Sequence, residues 1–190
     1  MFGNLMSGAM IKRLRGNGPN NIRIEALGND DNPEDEKYGA STYTLFAGKV
    51  LFQAVLGNYV SWEEHDLRSV GPYTLQPKEY IKVVPSERII LPHGIVARFD
   101  SPSNLIDTGL ALIAGKLDPH YGEKEETLYF GLQNITGISC EITKQTRIAH
   151  VTCFDMRGII VEDNLEIVWL KHHIKELLRA KPLIQPGGPK

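Results

Sequence analysis

The chain has 190 residues, 42% of them hydrophobic and 23% charged, the size and balance of one soluble domain able to bury a core, which excludes a disordered or fibrous chain. A formal net charge of -2 and an isoelectric point near 6.3 exclude a broad nucleic-acid or membrane surface, which needs concentrated Lys and Arg, and leave small anionic ligands open. With no secretory apolar region, no run approaching the roughly 20 residues of a membrane span, and Cys140 and Cys153 as its thiols, the chain reads as a cytoplasmic protein with reduced cysteines.

In chain order, residues 7–15 read as a short helix that Ser7 caps and Gly16 stops. Residues 22–26 (IRIEA) alternate like a half-buried strand, and the acidic, turn-rich run 28–37 (GNDDNPEDEK) reads as a solvated loop. From Tyr38 onward, short apolar or alternating segments are separated by Gly, Pro, Asn and Asp, at 41–46, 49–56, 80–84, 88–91, 95–99, 110–113, 127–132, 139–142 and 148–154. Short strands at this spacing predict an all-β sandwich or barrel. Ile167, Leu170, Ile174 and Leu177 then recur at helical spacing among Lys171, Lys175 and Arg179, which predicts an amphipathic helix over 168–180 that Pro182, Pro186 and Gly187 bring to an end. No repeat or inter-domain linker interrupts the chain. It reads as one domain, 1–190, with an N-terminal helix, strand and acidic loop (1–37), a barrel core (38–156) and a C-terminal strand, helix and tail (157–190).

Residues 75–151 carry more than strand periodicity. The segment LQPKEYIKVVPSERIILPHGIVARF (75–99) resembles, without a gap, the lead-in of the dCTP deaminases, where a proline turn precedes two strands and a Leu-Pro step precedes the strand carrying Val-Ala-Arg. DSPSNLIDTGL (100–110) continues against a family pattern close to E-G-R-S-S-L-A-R-x-G-L, with agreement at Ser103, Leu105, Gly109 and Leu110. GKLDPHYGE (115–123) is similar to the G-x-I-D-P or G-x-I-D-x-x-Y segment of both dUTPases and deaminases. LQN (132–134) and ITKQTRIAHV (142–151) resemble the family's L-x-N and its closing R-I-A-Q-L strand. Upstream, ASTYTLFAGKVL (40–51) echoes S-x-D-L-R-L-G, with Tyr43 in the place of the aspartate. On these motifs the chain resembles the dUTPase and dCTP deaminase superfamily, closest in motif order to the deaminases.

The resemblance implies a distorted, jelly-roll-like β-barrel that assembles as a homotrimer, with nucleotide sites at subunit boundaries. It places nucleotide binding on Ser103, Asn104, Asp107 and Gly109 in the phosphate loop and on Tyr121, which packs on the deoxyribose. It makes Asp118 the catalytic residue, orienting water or sugar, with Mg2+ arriving on the bound nucleotide. Zinc is not expected, because the H-x-E and P-C-x-x-C pattern of zinc deaminases is absent.

Departures from the pattern fall on chemistry. Pro102 and Asp107 stand where the family has arginines, and a triphosphate of about four negative charges loses two bidentate partners there and gains a repulsion. Gly131 stands three residues before Asn134, where the deaminases have their glutamate base, so that base is missing. Glu125 lies six residues earlier, roughly 20 Å away along an extended strand. The 110–118 hairpin is about two residues shorter than in the deaminases, and 121–134 about three longer.

Three functional readings follow. The first is a protein of pyrimidine deoxynucleotide binding or metabolism, hydrolysing rather than deaminating if active. The second is a non-catalytic trimeric module with a binding, regulatory or structural role. The third is a divergent hydrolase of a less charged nucleotide. The retained residues also have structural readings: Asp118 before Pro119 as a turn former, Ser103 and Asn104 as caps, Tyr121 as interface packing, Arg147 as an ion pair or trimer contact. His93, His120 and His150 share no ligand spacing.

Overall fold

A computed structural model describes residues 4–28, 34–56, 59–124 and 126–157. The N-terminus enters through β1 (Asn4–Leu5) and α1 (Gly8–Leu14). Ser7 caps the helix as its sequence predicts, its Oγ accepting the Met10 N–H at 3.1 Å. The helix stops because Arg15 turns extended (φ -70°, ψ 131°), not through a left-handed Gly16. From there Arg15 Nη1 donates to Glu34 at 2.8 Å and Nη2 to the Ile24 carbonyl at 3.2 Å. β2 (Arg23–Ala26) follows where alternation places it.

The acidic run is not all loop, since Glu34–Lys37 forms α2. Lys37 is 1% exposed, and its Nζ lies 3.7 Å from Oε1 of an equally buried Glu87. A lysine leaves water only for such a partner. The pair therefore draws the end of the acidic run onto the barrel.

The two strands expected at 41–46 and 49–56 are one, β3 (Tyr43–Leu56), with a register shift between Ala47 and Lys49. Gly48 sits at the bend, where a Cβ would come within 2.9 Å of the Pro85 carbonyl and 3.0 Å of Ser86. β4 (Tyr59–Asp66) returns antiparallel to β3, and β5 (Tyr73–Leu75) follows. Neither was expected. As a one-sided edge strand, β4 keeps residues 60–64 exposed, so it carries no burial rhythm to read.

The remaining elements are β6 (Tyr80–Pro85), β7 (Glu87–Ile90), β8 (Ile95–Asp100), α3 (Ser103–Asp107), β9 (Leu110–Ile113), β10 (Lys116–Leu117), β11 (Phe130–Asn134), β12 (Cys140–Ile142) and β13 (Arg147–Asp155). β11 starts three residues later than predicted, since 127–129 meet no partner strand. The main sheet runs β10-β8-β13-β3-β6-β11-β9, with β1 on β13 and β4 on β3, while β5 pairs with β12 and β2 with β7. All these ladders are antiparallel. The two end strands, β9 and β10, are joined by Ala114 and Gly115, so the sheet curls into a half-barrel.

Inward positions fill the core: Leu45 and Val50 from β3, Ile81 and Val83 from β6, Phe130 and Leu132 from β11, Ile148, Val151 and Cys153 from β13. Each such side chain contributes about 1.5–3 kcal/mol on burial. Cys153 is held in this core, its thiol pushed up to about 12 by burial, and Cys140 is a second, half-buried free thiol. Among the described residues no helix is long and apolar enough to cross a membrane. The helix predicted over 168–180 lies outside the described residues.

Candidate functional site

The loop after β8 holds the first group of predicted site residues. Pro102 is buried and opens α3 in the N-cap position (φ -66°, ψ 150°), without a side-chain cap. Ser103 is exposed and caps nothing. Asn104 is turned inward, its Nδ2 donating to the Arg147 carbonyl at 3.2 Å while its Oδ1 is buried without a hydrogen-bond partner. Asp107 is exposed in the last turn of α3, where no basic residue balances it. Gly109 is left-handed (φ +68°), and a Cβ there would collide with Thr136 Cγ2. Its carbonyl accepts the Ile135 N–H at 3.1 Å, which ties the loop to the turn after β11. Asn104 and Gly109 thus hold the loop in place, and Ser103 and Asp107 are the groups it presents.

The second group follows β10. Asp118 is exposed, and Lys116 Nζ donates to its Oδ1 at 2.5 Å. Its carbonyl accepts the Tyr121 N–H at 3.2 Å and closes the turn, with His120 left-handed inside it (φ 68°). Asp118 is therefore a turn former whose carboxylate also faces solvent. Gly122 follows at φ +81°, where a Cβ would lie 2.5 Å from the Ile89 carbonyl, and the Leu91 N–H donates to the Tyr121 carbonyl at 2.9 Å. These contacts fasten the turn to β7. Tyr121 is half-buried, and burial pushes its phenol up, with Glu126 adding to the shift and Arg88 opposing it. His93 and His120, unrelated in spacing, stand with ring centroids 5.1 Å apart, and His120 Nδ1 meets Glu123 at 2.6 Å.

The two groups are not together in one chain. β10 pairs with β8 through Leu117 and Ala97, so Asp118 follows at the level of Val96, while α3 begins beyond Asp100 at the other end of that strand. Four residues of strand separate those levels by roughly 13 Å.

No protein-family model and no curated protein matches the sequence. Among solved structures, the 2'-deoxycytidine 5'-triphosphate deaminase of Agrobacterium tumefaciens superposes with a TM-score of 0.61 at 14% identity, over 80% of this chain and 48% of that one. The chain has the dUTPase/dCTP deaminase fold. It spans about half the length of that deaminase chain. The dUTPase of Staphylococcus bacteriophage 80alpha, with dUpNHpp, also matches, with a TM-score of 0.49 at 16% identity over 72% of this chain and 85% of that one.

Within this dUTPase/dCTP deaminase fold, Gly131 is a filled position. It lies in β11 between Lys82 of β6 and Ile113 of β9. A Cβ built on it would stand 2.9 Å from Cε2 and the hydroxyl of Tyr80 and 3.0 Å from Ile113 Cβ. The Tyr80 ring, edge-on to Trp62 with centroids 6.2 Å apart, occupies the space into which a side chain would project. Asn134 of the L-x-N motif is 0% exposed and builds the next turn, with Nδ2 donating to Ile138 O at 2.7 Å and Oδ1 accepting from Thr136 N at 3.0 Å. Arg147 pairs with Glu36 at 3.0 Å, the structural ion pair that was one of its two readings.

Sequence reading missed Glu87, Arg88 and Glu126, which with Tyr121 line a recess of about 300 Å³. One signal was present. Glu87 alternates with Ile89 and so falls on the inward face of β7, where a carboxylate needs a partner. That partner, Lys37, comes from 50 residues upstream and leaves no local trace.

Proposed function

We propose that this chain is a pyrimidine-nucleotide-binding protein of the dUTPase/dCTP deaminase fold that has given up deamination, working as a homotrimer in the cytoplasm. The observation that carries the reading is Gly131, because the ring of Tyr80 fills the space a glutamate base would need. The solved deaminase with this fold acts on 2'-deoxycytidine 5'-triphosphate, which motivates the ligand class. Pro102 and Asp107 remove two cations from the loop beside Ser103, so a triphosphate is held less well than a ligand with fewer charges. The separation of the Ser103 loop from Asp118 along β8 favours a site assembled from two subunits, which is what a trimer supplies.

A second reading is phosphohydrolysis, favoured by the exposed Asp118 carboxylate with Lys116 beside it. Asp118 would orient the attacking water, and Mg2+ would enter with the nucleotide phosphates. The two readings separate when the protein is incubated with dCTP, dUTP, dUMP and deoxyuridine in the presence of Mg2+ while ammonia and pyrophosphate release are followed. The binding reading expects a thermal shift with no ammonia. Ammonia release from dCTP overturns it, and pyrophosphate release abolished by Asp118→Ala establishes the hydrolase. Absence of any thermal shift sinks both. Light scattering should give about three times 21.2 kDa, and a monomer contradicts the assembly.

A further inference from the structure

His93 and His120 have no role in the nucleotide readings. His93 stands in the turn between β7 and β8 and His120 in the turn after β10, 27 residues later in the chain. The two turns are pinned to each other, because the Leu91 N–H donates to the Tyr121 carbonyl at 2.9 Å and Gly122 lies too close to the Ile89 carbonyl to carry a Cβ. Each is also held from within. The Met156 N–H donates to the Gly94 carbonyl at 2.7 Å, and the Glu123 N–H to the His120 carbonyl at 3.3 Å. Both imidazoles are exposed, so backbone contacts set their rings side by side while leaving them open to solvent.

The ring centroids are 5.1 Å apart with planes at 66°. Two imidazoles that share a tetrahedral ion have this spacing: a metal–nitrogen bond of about 2.0–2.1 Å, about 1.2 Å from nitrogen to ring centre and an angle of about 109° put the centroids about 5.2 Å apart. Edge-to-face packing alone also falls within about 4.5–7 Å, so Glu123 decides between the two. His120 Nδ1 meets Glu123 Oε1 at 2.6 Å, and since a carboxylate only accepts, Nδ1 carries the proton and Nε2 keeps its lone pair. A carboxylate on the far nitrogen is the support that metal-bound histidines almost always have. His120 Nε2 and both nitrogens of His93 have no hydrogen-bond partner among the described residues. No group of three or more His, Cys, Asp or Glu among the described residues is placed to hold an ion, so His93 and His120 are the two protein ligands and water takes the other positions.

We infer that His93 and His120 bind a divalent transition-metal ion of the zinc class, His120 through Nε2, with Glu123 as the positioning residue. Zinc suits imidazole nitrogen in a tetrahedral array, whereas Mg2+ and Ca2+ take oxygen ligands. The ion ties the β7–β8 turn to the segment that follows β10. It is distinct from the water-activating zinc of the zinc deaminases, whose sequence pattern is absent. The inference goes beyond the nucleotide reading and stands or falls without it.

The test titrates the full-length, metal-free protein with ZnCl2 by calorimetry, with Co2+ visible absorption and melting curves as further readouts. One ion should bind per chain with a Kd between about 1 and 200 μM, as fits a site with half the protein ligands of a structural zinc centre. Zn2+ at about 100 times Kd should raise Tm by roughly 5–10 °C, and Co2+ should give the intense absorption of a tetrahedral centre. His93→Ala and His120→Ala should each weaken binding by more than roughly 10-fold and remove the Co2+ band, and Glu123→Gln, which leaves both ligands, should weaken it by roughly 10-fold. All three positions are exposed, and melting curves without metal check the fold of each variant. No saturable Zn2+ binding up to roughly 1 mM overturns the inference. So does binding that survives both His93→Ala and His120→Ala, or that is lost instead when His172→Ala and His173→Ala are combined. Binding that needs both ligands yet is indifferent to Glu123→Gln overturns the positioning role.

Discussion

Gly131→Ala tests the packing around the position where the proposed reading finds no room for a glutamate base. A methyl group at 131 would lie 2.9 Å from the Tyr80 ring and 3.0 Å from Ile113 Cβ, well inside ordinary carbon contact. Ile113 Cβ is tied to its own strand and cannot swing away, so the tyrosine or the backbone must move. Overpacking of this kind costs about 1–3 kcal/mol, whereas replacing glycine by alanine returns about 0.4–1 kcal/mol through the unfolded chain. The net expectation is a loss of about 1–2 kcal/mol, or roughly 2–8 °C in Tm for a chain of this length. In a Tyr80→Ala background the new methyl has room, so a double-mutant cycle by urea denaturation should show coupling of about 1 kcal/mol in the relieving direction. Gly131→Glu goes further by pressing a carboxylate into a buried strand position, and should lower stability more while releasing no ammonia from dCTP. A Gly131→Ala protein as stable as the parent, or coupling below about 0.3 kcal/mol, would refute the reasoning.

Lys37→Met should cost about 3–5 kcal/mol in denaturant melts, because it removes the buried cation facing Glu87, and a loss under about 1 kcal/mol would show that the pair does not hold α2 on the barrel. Gly109→Ala, at φ +68° and against Thr136, should cost about 1–3 kcal/mol by the same assay, while Ser103→Ala, at an exposed position six residues earlier, stays near neutral. The His150 imidazole is held below its ordinary 6.5 by burial and by Arg147. The unfolded chain takes up that proton first as pH falls through 6.5, so stability is full above this value and declines on its acid side until the folded state is protonated too. Tm measured against pH should show that decline flattened in His150→Gln, and an unchanged profile would count against it.

Much of the scaffold was legible because its cause is local. The Ser7 cap of α1 and the inward rhythm of β6, β8 and β13 each follow from residue types acting on their own neighbourhood. The continuity of β3 through Gly48 was not, since a glycine between two apolar runs reads equally as a break or a bulge, and only the approach of Pro85 and Ser86 decides. Of the candidate site, single turns were legible and their arrangement was not. Asp118 and Tyr121 fall in one turn as their spacing implies, but the proximity of His93 to His120 depends on how two loops meet. The recess beside Tyr121 is built by Arg88 and Glu126, residues 38 positions apart that carry no shared motif.

The join between β9 and β10 has a mechanical consequence. Those strands are the two outermost members of the main sheet's hydrogen-bonded path, yet Ile113 and Lys116 are three peptide steps apart and so lie within about 11 Å. The seam between them is closed by covalent chain instead of by a ladder. Neither border of the sheet can peel back without pulling on the other, so fraying that begins at β9 is transmitted to β10 and β8. Cutting the chain between Ala114 and Gly115 would free two sheet edges at once.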